Sequence, residues 1–247
     1  MITKTKPRAW TDLDISELKK LKSKGYSNSE IAKFMDRSEV AIQIKWKRLN
    51  KKNNSYNKKH IDNKYETNKN FLNIIKPTTI LDLFAGESSY YLELYKELRE
   101  LNEETFNRVV TNDKNKEFSS NNYNDDALRV LCKLYYEKNK FDLIDIDPFG
   151  SAYECFDLAI KMAKKGLIIT YGEMGHKRWK RLDYVERFYN INTLEDFTLD
   201  KLVAKTQEIG RQNKKKLNPI YVQEWQNIGR VYYQIETMKI DVWKDKK

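Results

Sequence analysis

Cysteine and histidine are almost missing from this chain. Among 247 residues there are two of each: Cys132, Cys155, His60 and His176. Four such residues, widely scattered, lack the close ligand spacing of a zinc site, so no metal is expected. No apolar run approaches the ~20 residues that cross a bilayer, so no membrane partner is expected. Met1 to Lys6 are followed by no apolar stretch of the secretory type, and a cytoplasmic protein is the expectation. There is no G-x-G-x-x-G loop, which argues against a dinucleotide-binding enzyme. No internal repeat is found.

What is present points to a folded, basic chain. Hydrophobic residues make up 40% and aromatics 13%, enough for a real core in one or two domains. The net charge is +11 and unevenly spread. Residues 1–70 hold 18 Lys/Arg against 8 Asp/Glu, whereas residues 71–247 hold 29 against 28. A basic segment on an otherwise balanced chain suggests a polyanionic partner, nucleic acid above all.

The first 50 residues read as three short helices. Thr11 and Asp14 can cap a helix from Asp12 to Lys24, which Gly25 ends. Ser27-Asn28-Ser29-Glu30 is a capping box for a second helix through Ile31, Ala32, Phe34 and Met35. Ser38 caps a third, Glu39 to about Leu49. Its Val40, Ala41, Ile44 and Leu49 can face the other helices, leaving Gln43, Lys45, Lys47 and Arg48 outward. Trp10 and Trp46 are read as core aromatics. A short connection before a basic third helix is the helix-turn-helix layout. The stretch from Ala9-Trp10-Thr11 to Trp46-Lys47-Arg48-Leu49 resembles Myb/SANT-type domains. That resemblance implies nucleic-acid contacts from Arg8, Gln43, Lys45, Lys47 and Arg48. Residues 51–70, rich in Lys and Asn without a period, are expected to be a linker.

From Phe71 strands and helices alternate, which implies a parallel sheet. Candidate strands are Thr79–Phe84, Arg108–Asn112, Phe141–Ile146 and Leu167–Thr170, with a weak one near Asn121–Tyr123. Candidate helices are Ser88–Leu101, Asp126–Lys138 and Ala152–Lys164. Ile220–Gln226 and Arg230–Ile240 flank Asn227-Ile228-Gly229 and read as a hairpin.

Two short segments carry the chemistry. Thr78-Thr79-Ile80-Leu81-Asp82-Leu83-Phe84-Ala85-Gly86 and Phe141-Asp142-Leu143-Ile144-Asp145-Ile146-Asp147-Pro148-Phe149-Gly150 are apolar runs breaking into small or acidic residues. Buried parallel strands look like this where they deliver a ligand site at the carboxyl edge. In this order the two resemble the cofactor and catalytic loops of S-adenosylmethionine (SAM) dependent methyltransferases acting on amino groups of nucleic-acid bases. The resemblance implies an α/β Rossmann-like sheet finished by an antiparallel hairpin, over residues 71–247, with SAM as cofactor. It implies cofactor contacts from Asp82, Phe84, Ala85, Gly86 and Ser88, where the family usually has a second glycine in place of Ser88. Asp113 suits the ribose hydroxyls, since a carboxylate accepts both hydrogen bonds. Asp126, followed by Ala127, matches the acid that accepts from the adenine amino group, with Asp125 as the alternative.

Asp147-Pro148-Phe149-Gly150 decides the reaction. An exocyclic base amine is a poor nucleophile; a carboxylate and a backbone carbonyl can accept its N–H groups, and Phe149 can stack on the base. Cytosine C5 chemistry would need a cysteine nucleophile in this loop, and neither cysteine lies there. The Asp-Pro-Phe-Gly form is similar to that of the tRNA N2-guanine dimethyltransferases. Residues 171–219 form an insertion with 11 Lys/Arg and 7 Asp/Glu. Its basic clusters are His176-Lys177-Arg178-Trp179-Lys180-Arg181 and Arg211 to Lys216, and Lys177, Arg178, Lys180 and Arg181 suit a phosphate backbone. The expected function is methylation of a DNA base amine, adenine N6 ahead of cytosine N4, with recruitment by the helix-turn-helix. The alternatives are a tRNA guanine-N2 methyltransferase and a non-catalytic DNA-binding regulator on the same fold.

Overall fold

The computed structural model describes residues 10–49, 58–87, 89–94, 107–177, 182–225 and 227–238. The chain divides into two compact units, Met1–Asp62 and Asn63–Lys247.

The first unit contains α1 (Asp12–Ser23), α2 (Asn28–Phe34) and α3 (Glu39–Leu49). Both expected capping boxes form: the Thr11 hydroxyl accepts from Asp14 N–H, and Ser27 accepts from Glu30 N–H. Ser38 Oγ accepts from Ala41 N–H at the start of α3. The core is Leu18, Leu21, Ile31, Met35 and Ile42, with Trp10 and Trp46 packed against it. The face of α3 differs from the expected one. Ile42 is buried and Trp46 and Leu49 follow on its stripe, while Val40 and Ile44 are exposed. The i, i+4, i+7 spacing from Ile42 brings the larger side chains to the core.

Helix α4 (Lys58–Ile75) overlaps the expected linker, which is therefore helical from Lys58 onward. Its polar composition hides a stripe of Asn68, Phe71, Leu72 and Ile75, all buried. Burial of that stripe on the sheet stabilises the helix where its intrinsic propensity is weak.

The second unit is built on a six-stranded sheet of order β2-β1-β3-β4-β6-β5. The strands are β1 (Thr79–Asp82), β2 (Arg108–Thr111), β3 (Phe141–Ile146), β4 (Ala163–Tyr171), β5 (Lys215–Trp225) and β6 (Ile228–Thr237). The first four are parallel, and the β5–β6 hairpin adds antiparallel to β4. The weak strand near Tyr123 reduces to one bridge, Asn112 to Tyr123. The helices are α5 (Ala127–Tyr136), α6 (Tyr153–Met162), α7 (Met174–Lys177), α8 (Asp183–Tyr189) and α9 (Leu199–Gln212), and residues 90–94 are also helical. Helix α6 stops two residues short of the expected Lys164. Ala163 instead opens β4 by pairing with Phe141. β5 starts earlier than expected, and Pro219 sits at its register shift, as an edge strand allows.

The period of two along the strands divides the sheet into two faces. Leu81, Ile144, Ile146, Leu167, Ile169, Val231 and Tyr233 enter the large core with α5, α6 and α9. Ile80, Leu143, Ile168 and Tyr232 enter a smaller core with Phe71, Leu72 and Ile75 of α4. Gly166 permits the close approach of α4, because a Cβ there would come within 3.1 Å of Phe71 Cε1.

Candidate active site

The site grows from the α4 face of the sheet. Two residues beyond Ile80 stands Asp82; beyond Leu143 stand Asp145 and Asp147; beyond Ile168 stands Thr170; and Arg230 shares the face of Tyr232. The same alternation that buries the smaller core thus delivers a polar cluster at the carboxyl edge of the parallel strands. Asp82 is in register with Asp145, and Thr170 with Arg230.

The loop after β1 is held from several sides. Leu83 N–H donates to Asp145 O at 3.0 Å, and Ala85 N–H to Asn112 O at 2.9 Å. Gly86 lies at φ +68°, where a side chain would strain the backbone. Its N–H donates to Asp113 Oδ2 at 3.1 Å, and its carbonyl accepts from Asn121 Nδ2 at 2.9 Å. The structure therefore brings Asp113 and Gly86 together. Phe84 packs on the large core and Ala85 is buried. Ser88 lies outside the described residues.

Asp82 is buried and accepts from Ser89 Oγ at 2.6 Å. Burial, and then the charge of Asp145, push its carboxyl up to about 7. Asp145 Oδ2 accepts from Tyr91 Oη at 2.6 Å and from Arg230 Nη2 at 2.7 Å, while its buried Oδ1 has no partner. An orphaned carboxylate oxygen beside a second buried carboxyl is a natural receptor for an ammonium group.

Asp126 sits where the sequence places it, but its Oδ1 caps α5, accepting from Leu128 and Arg129 N–H at 3.1 and 3.2 Å. Ala127 is buried in the core behind it. Asp125 N–H donates to Asn112 Oδ1 at 3.3 Å.

The Asp147–Gly150 loop leaves β3 with Pro148 buried and Phe149 83% exposed. Gly150 takes φ +96°. A Cβ on Gly172, at the end of β4, would overlap the Gly150 carbonyl, so the two backbones touch. Asp147 Oδ2 accepts from Lys64 Nζ of α4, and its Oδ1 lies 3.5 Å from Arg230 Nη1. Burial alone would raise the Asp147 carboxyl; Lys64 and Arg230 outweigh it and hold the group well below the usual carboxylate range. Lys64, Asn68 and Arg230 join this candidate site, and the sequence reading missed them. Beside the loop, buried Glu173 accepts through Oε1 from Ser151 Oγ and from Tyr189 Oη, the latter at 2.8 Å.

Of the basic candidates, Gln43 is exposed and Lys45 Nζ lies 5.5 Å from the Trp10 ring centre. Lys177 is exposed and its Nζ donates to Phe197 O at 2.9 Å. Arg8, Arg178, Lys180, Arg181 and the side chains of Lys47 and Arg48 lie outside the described residues. Within the second basic cluster, Lys215 Nζ donates to the carbonyls of Ile160, Lys161 and Ala163. It closes the end of α6, and burial lowers it to about 8. Among the described residues no group of three or more His, Cys, Asp or Glu could hold a metal, and no helix is long and apolar enough to cross a membrane.

Comparison with known proteins places this geometry. The solved structure of Trm1 from Pyrococcus horikoshii with S-adenosyl-L-methionine is similar, with a TM-score of 0.55 and 18% identity, over 68% of this chain and 53% of that one. The chain thus spans about half the length of that protein, and the likeness establishes the Rossmann-like methyltransferase fold. A putative methyltransferase, yhhF from Escherichia coli, aligns with a TM-score of 0.42 and 14% identity, over 70% of this chain and 86% of that one. A search of curated proteins finds no match. The model of the TRM family, N2,N2-dimethylguanosine tRNA methyltransferase, matches residues 84–243. That span is well over half of the chain and includes the Asp147 loop and the Arg230 hairpin, so the chain belongs to the TRM family.

Proposed function

We propose that this protein is a SAM-dependent methyltransferase whose target is the N2 amine of guanine in tRNA. The observation that carries the reading is a family match running through an Asp-Pro-Phe-Gly loop whose carboxylate is held ionised. The family match favours tRNA over the DNA substrate that the N-terminal module suggests, and guanine N2 over adenine N6 or cytosine N4.

The residues fit the cofactor. Asp82 and the unpartnered oxygen of Asp145 suit the ammonium of its methionine end. Asp113 suits the ribose hydroxyls, and Asp126 can offer Oδ2 to the adenine amine, since Oδ1 caps α5. The loop 84–86 supplies the backbone approach. When bound, SAM supplies a methyl group on a sulfonium, which needs neither a metal nor a protein nucleophile.

The chain's own residues act on the base. Asp147 accepts an N–H of the target amine. A carboxylate has about four lone-pair sites, so Lys64 and Arg230 leave room for it. Pro148, buried, fixes the direction of the loop. Phe149 projects outward, where an unstacked base can lie on it. As the nitrogen gains the methyl group it loses a proton to water. In the first unit, Gln43, Lys45, Lys47 and Arg48 of α3 serve as nucleic-acid contacts that add affinity without chemistry.

The test supplies undermodified tRNA and genomic DNA together with methyl-labelled SAM. Label entering tRNA alone supports the reading; label entering DNA alone returns the assignment to a DNA methyltransferase.

A further inference from the structure

Arg230 is the largest fully buried side chain among the described residues. A guanidinium removed from water is costly unless every charge and donor finds a partner. Here Nε donates to Tyr232 Oη at 3.0 Å, Nη1 to Thr170 Oγ1 at 2.6 Å, and Nη2 to Asp145 Oδ2 at 2.7 Å and Asn68 Oδ1 at 3.3 Å. These partners come from β6, β4, β3 and α4. The same Nη1 faces Asp147 Oδ1 at 3.5 Å. The guanidinium is therefore fixed by four elements and offers its remaining charge to the one carboxylate in the catalytic loop.

Lys64 faces the same carboxylate from a different position. Its side chain is 20% exposed, against 1% for Arg230. A half-buried ammonium on a flexible stem can give way to an incoming amine; a fully buried planar fork with five donors cannot. The two cations thus have separable tasks.

We propose that Arg230 is a positioning residue for methyl transfer, holding Asp147 oriented and ionised from behind, so that the C-terminal hairpin is part of the active centre. The inference rests on Asp147 being the acceptor of the target amine. The charged and titratable groups that bear on Asp147 are Lys64 and Tyr65 of α4, Asp82 of β1 and Arg230 of β6, with Tyr232 and Asp145 alongside. Arg230 is the permanent cation among them. With Lys64, it opposes the burial and the neighbouring acids that favour the protonated carboxyl, which cannot accept from the base.

The test uses the full chain with SAM and the variants Arg230→Met, Arg230→Lys and Lys64→Met. The Asp147 carboxyl is titrated by carbon-13 NMR without nucleic acid, and methyl transfer is followed in single turnovers from pH 5 to 8.5. In Arg230→Met the Asp147 titration should rise. Methyl transfer, followed at saturating SAM, should fall, more at pH 5 than at pH 8.5. Arg230→Lys should keep most of the wild-type titration, and Lys64→Met, which removes the nearer cation, should raise it as well. A loss of equal size at every pH, or an unmoved Asp147 titration in Arg230→Met, would reduce Arg230 to a structural ion pair. If Arg230→Met does not fold, Arg230→Lys decides: an Asp147 titration and pH profile like the wild type support the inference, and ones unlike it overturn it. A wild-type protein that methylates no polymer would sink the functional reading while the NMR titration still reports on Arg230.

Discussion

Asp82 on β1 and Asp145 on β3 stand in register on adjacent strands, two buried carboxyls at the same edge of the sheet. Burial, and next the Asp145 charge, raise the Asp82 carboxyl to about 7, far above its value in an unfolded chain. The folded protein therefore keeps a proton that the unfolded chain loses above pH ~4. Stability is present in full below that pH and declines as pH rises through about 7. Asp82→Asn removes this dependence. Urea unfolding at pH 5 and pH 8 should show the wild type losing stability relative to the variant, with a ceiling of about 3 kcal/mol. Parallel behaviour of the two proteins would refute the raised carboxyl.

An ammonium placed against this pair favours the ionised form of Asp82. SAM binding at pH 6 should therefore release a proton, and SAM affinity should rise from pH 5 to pH 8. Calorimetry in two buffers of different ionisation enthalpy counts the proton. Asp82→Asn should bind SAM more weakly and release none.

Phe149 is 83% exposed, so its ring contributes little to the core. Phe149→Ala should leave thermal stability within about 0.5 kcal/mol of the wild type. Loss of a stacking partner for the flipped base costs about 1–3 kcal/mol. kcat/KM for nucleic acid should fall roughly 5- to 150-fold at unchanged SAM affinity. A large drop in the melting temperature would mean that the ring is structural.

Gly172 touches the backbone of Gly150. Gly172→Ala must push the catalytic loop away from the end of β4. A displacement of about 1 Å at the reacting atoms can cost on the order of 100-fold in rate. Single-turnover methyl transfer should show that loss, while SAM binding, proposed for Asp82, Asp113, Asp126 and Asp145, should hold.

Much of the second unit was legible because its strands are continuous apolar runs. Phe141–Ile146 runs straight into Asp147, and the candidate site residues Asp82, Gly86, Asp113 and Asp147 all lie at or just beyond strand ends. Helix α4 was not legible, because Lys and Asn cover its surface and only its last two turns carry the buried stripe. Lys64, Asn68 and Arg230 were missed for a different reason. Each meets Asp145, Asp147 or one another across 80 or more residues of sequence, and no local pattern reports such pairs. One signal was present: the period of two in Leu143-x-Asp145-x-Asp147 and Arg230-x-Tyr232 puts these residues on one face. In the first unit the capping boxes fixed the helices, but the rotation of α3 depends on packing of Ile42 and Trp46, which the polar pattern did not reveal. Asp126 shows the limit of motif reading, since the residue matched to adenine also caps a helix.

The central claim is that Asp147 directs a methyl group from SAM to guanine N2 in tRNA. The most direct measurement is nucleoside mass spectrometry of undermodified tRNA after incubation with SAM and either the wild type or Asp147→Ala, with SAM affinity measured for both. The account predicts N2-methylguanosine and N2,N2-dimethylguanosine with the wild type, neither with the variant, and similar SAM binding by the two proteins. Methylated adenine or cytosine in place of guanine, or equal product from Asp147→Ala, would contradict it.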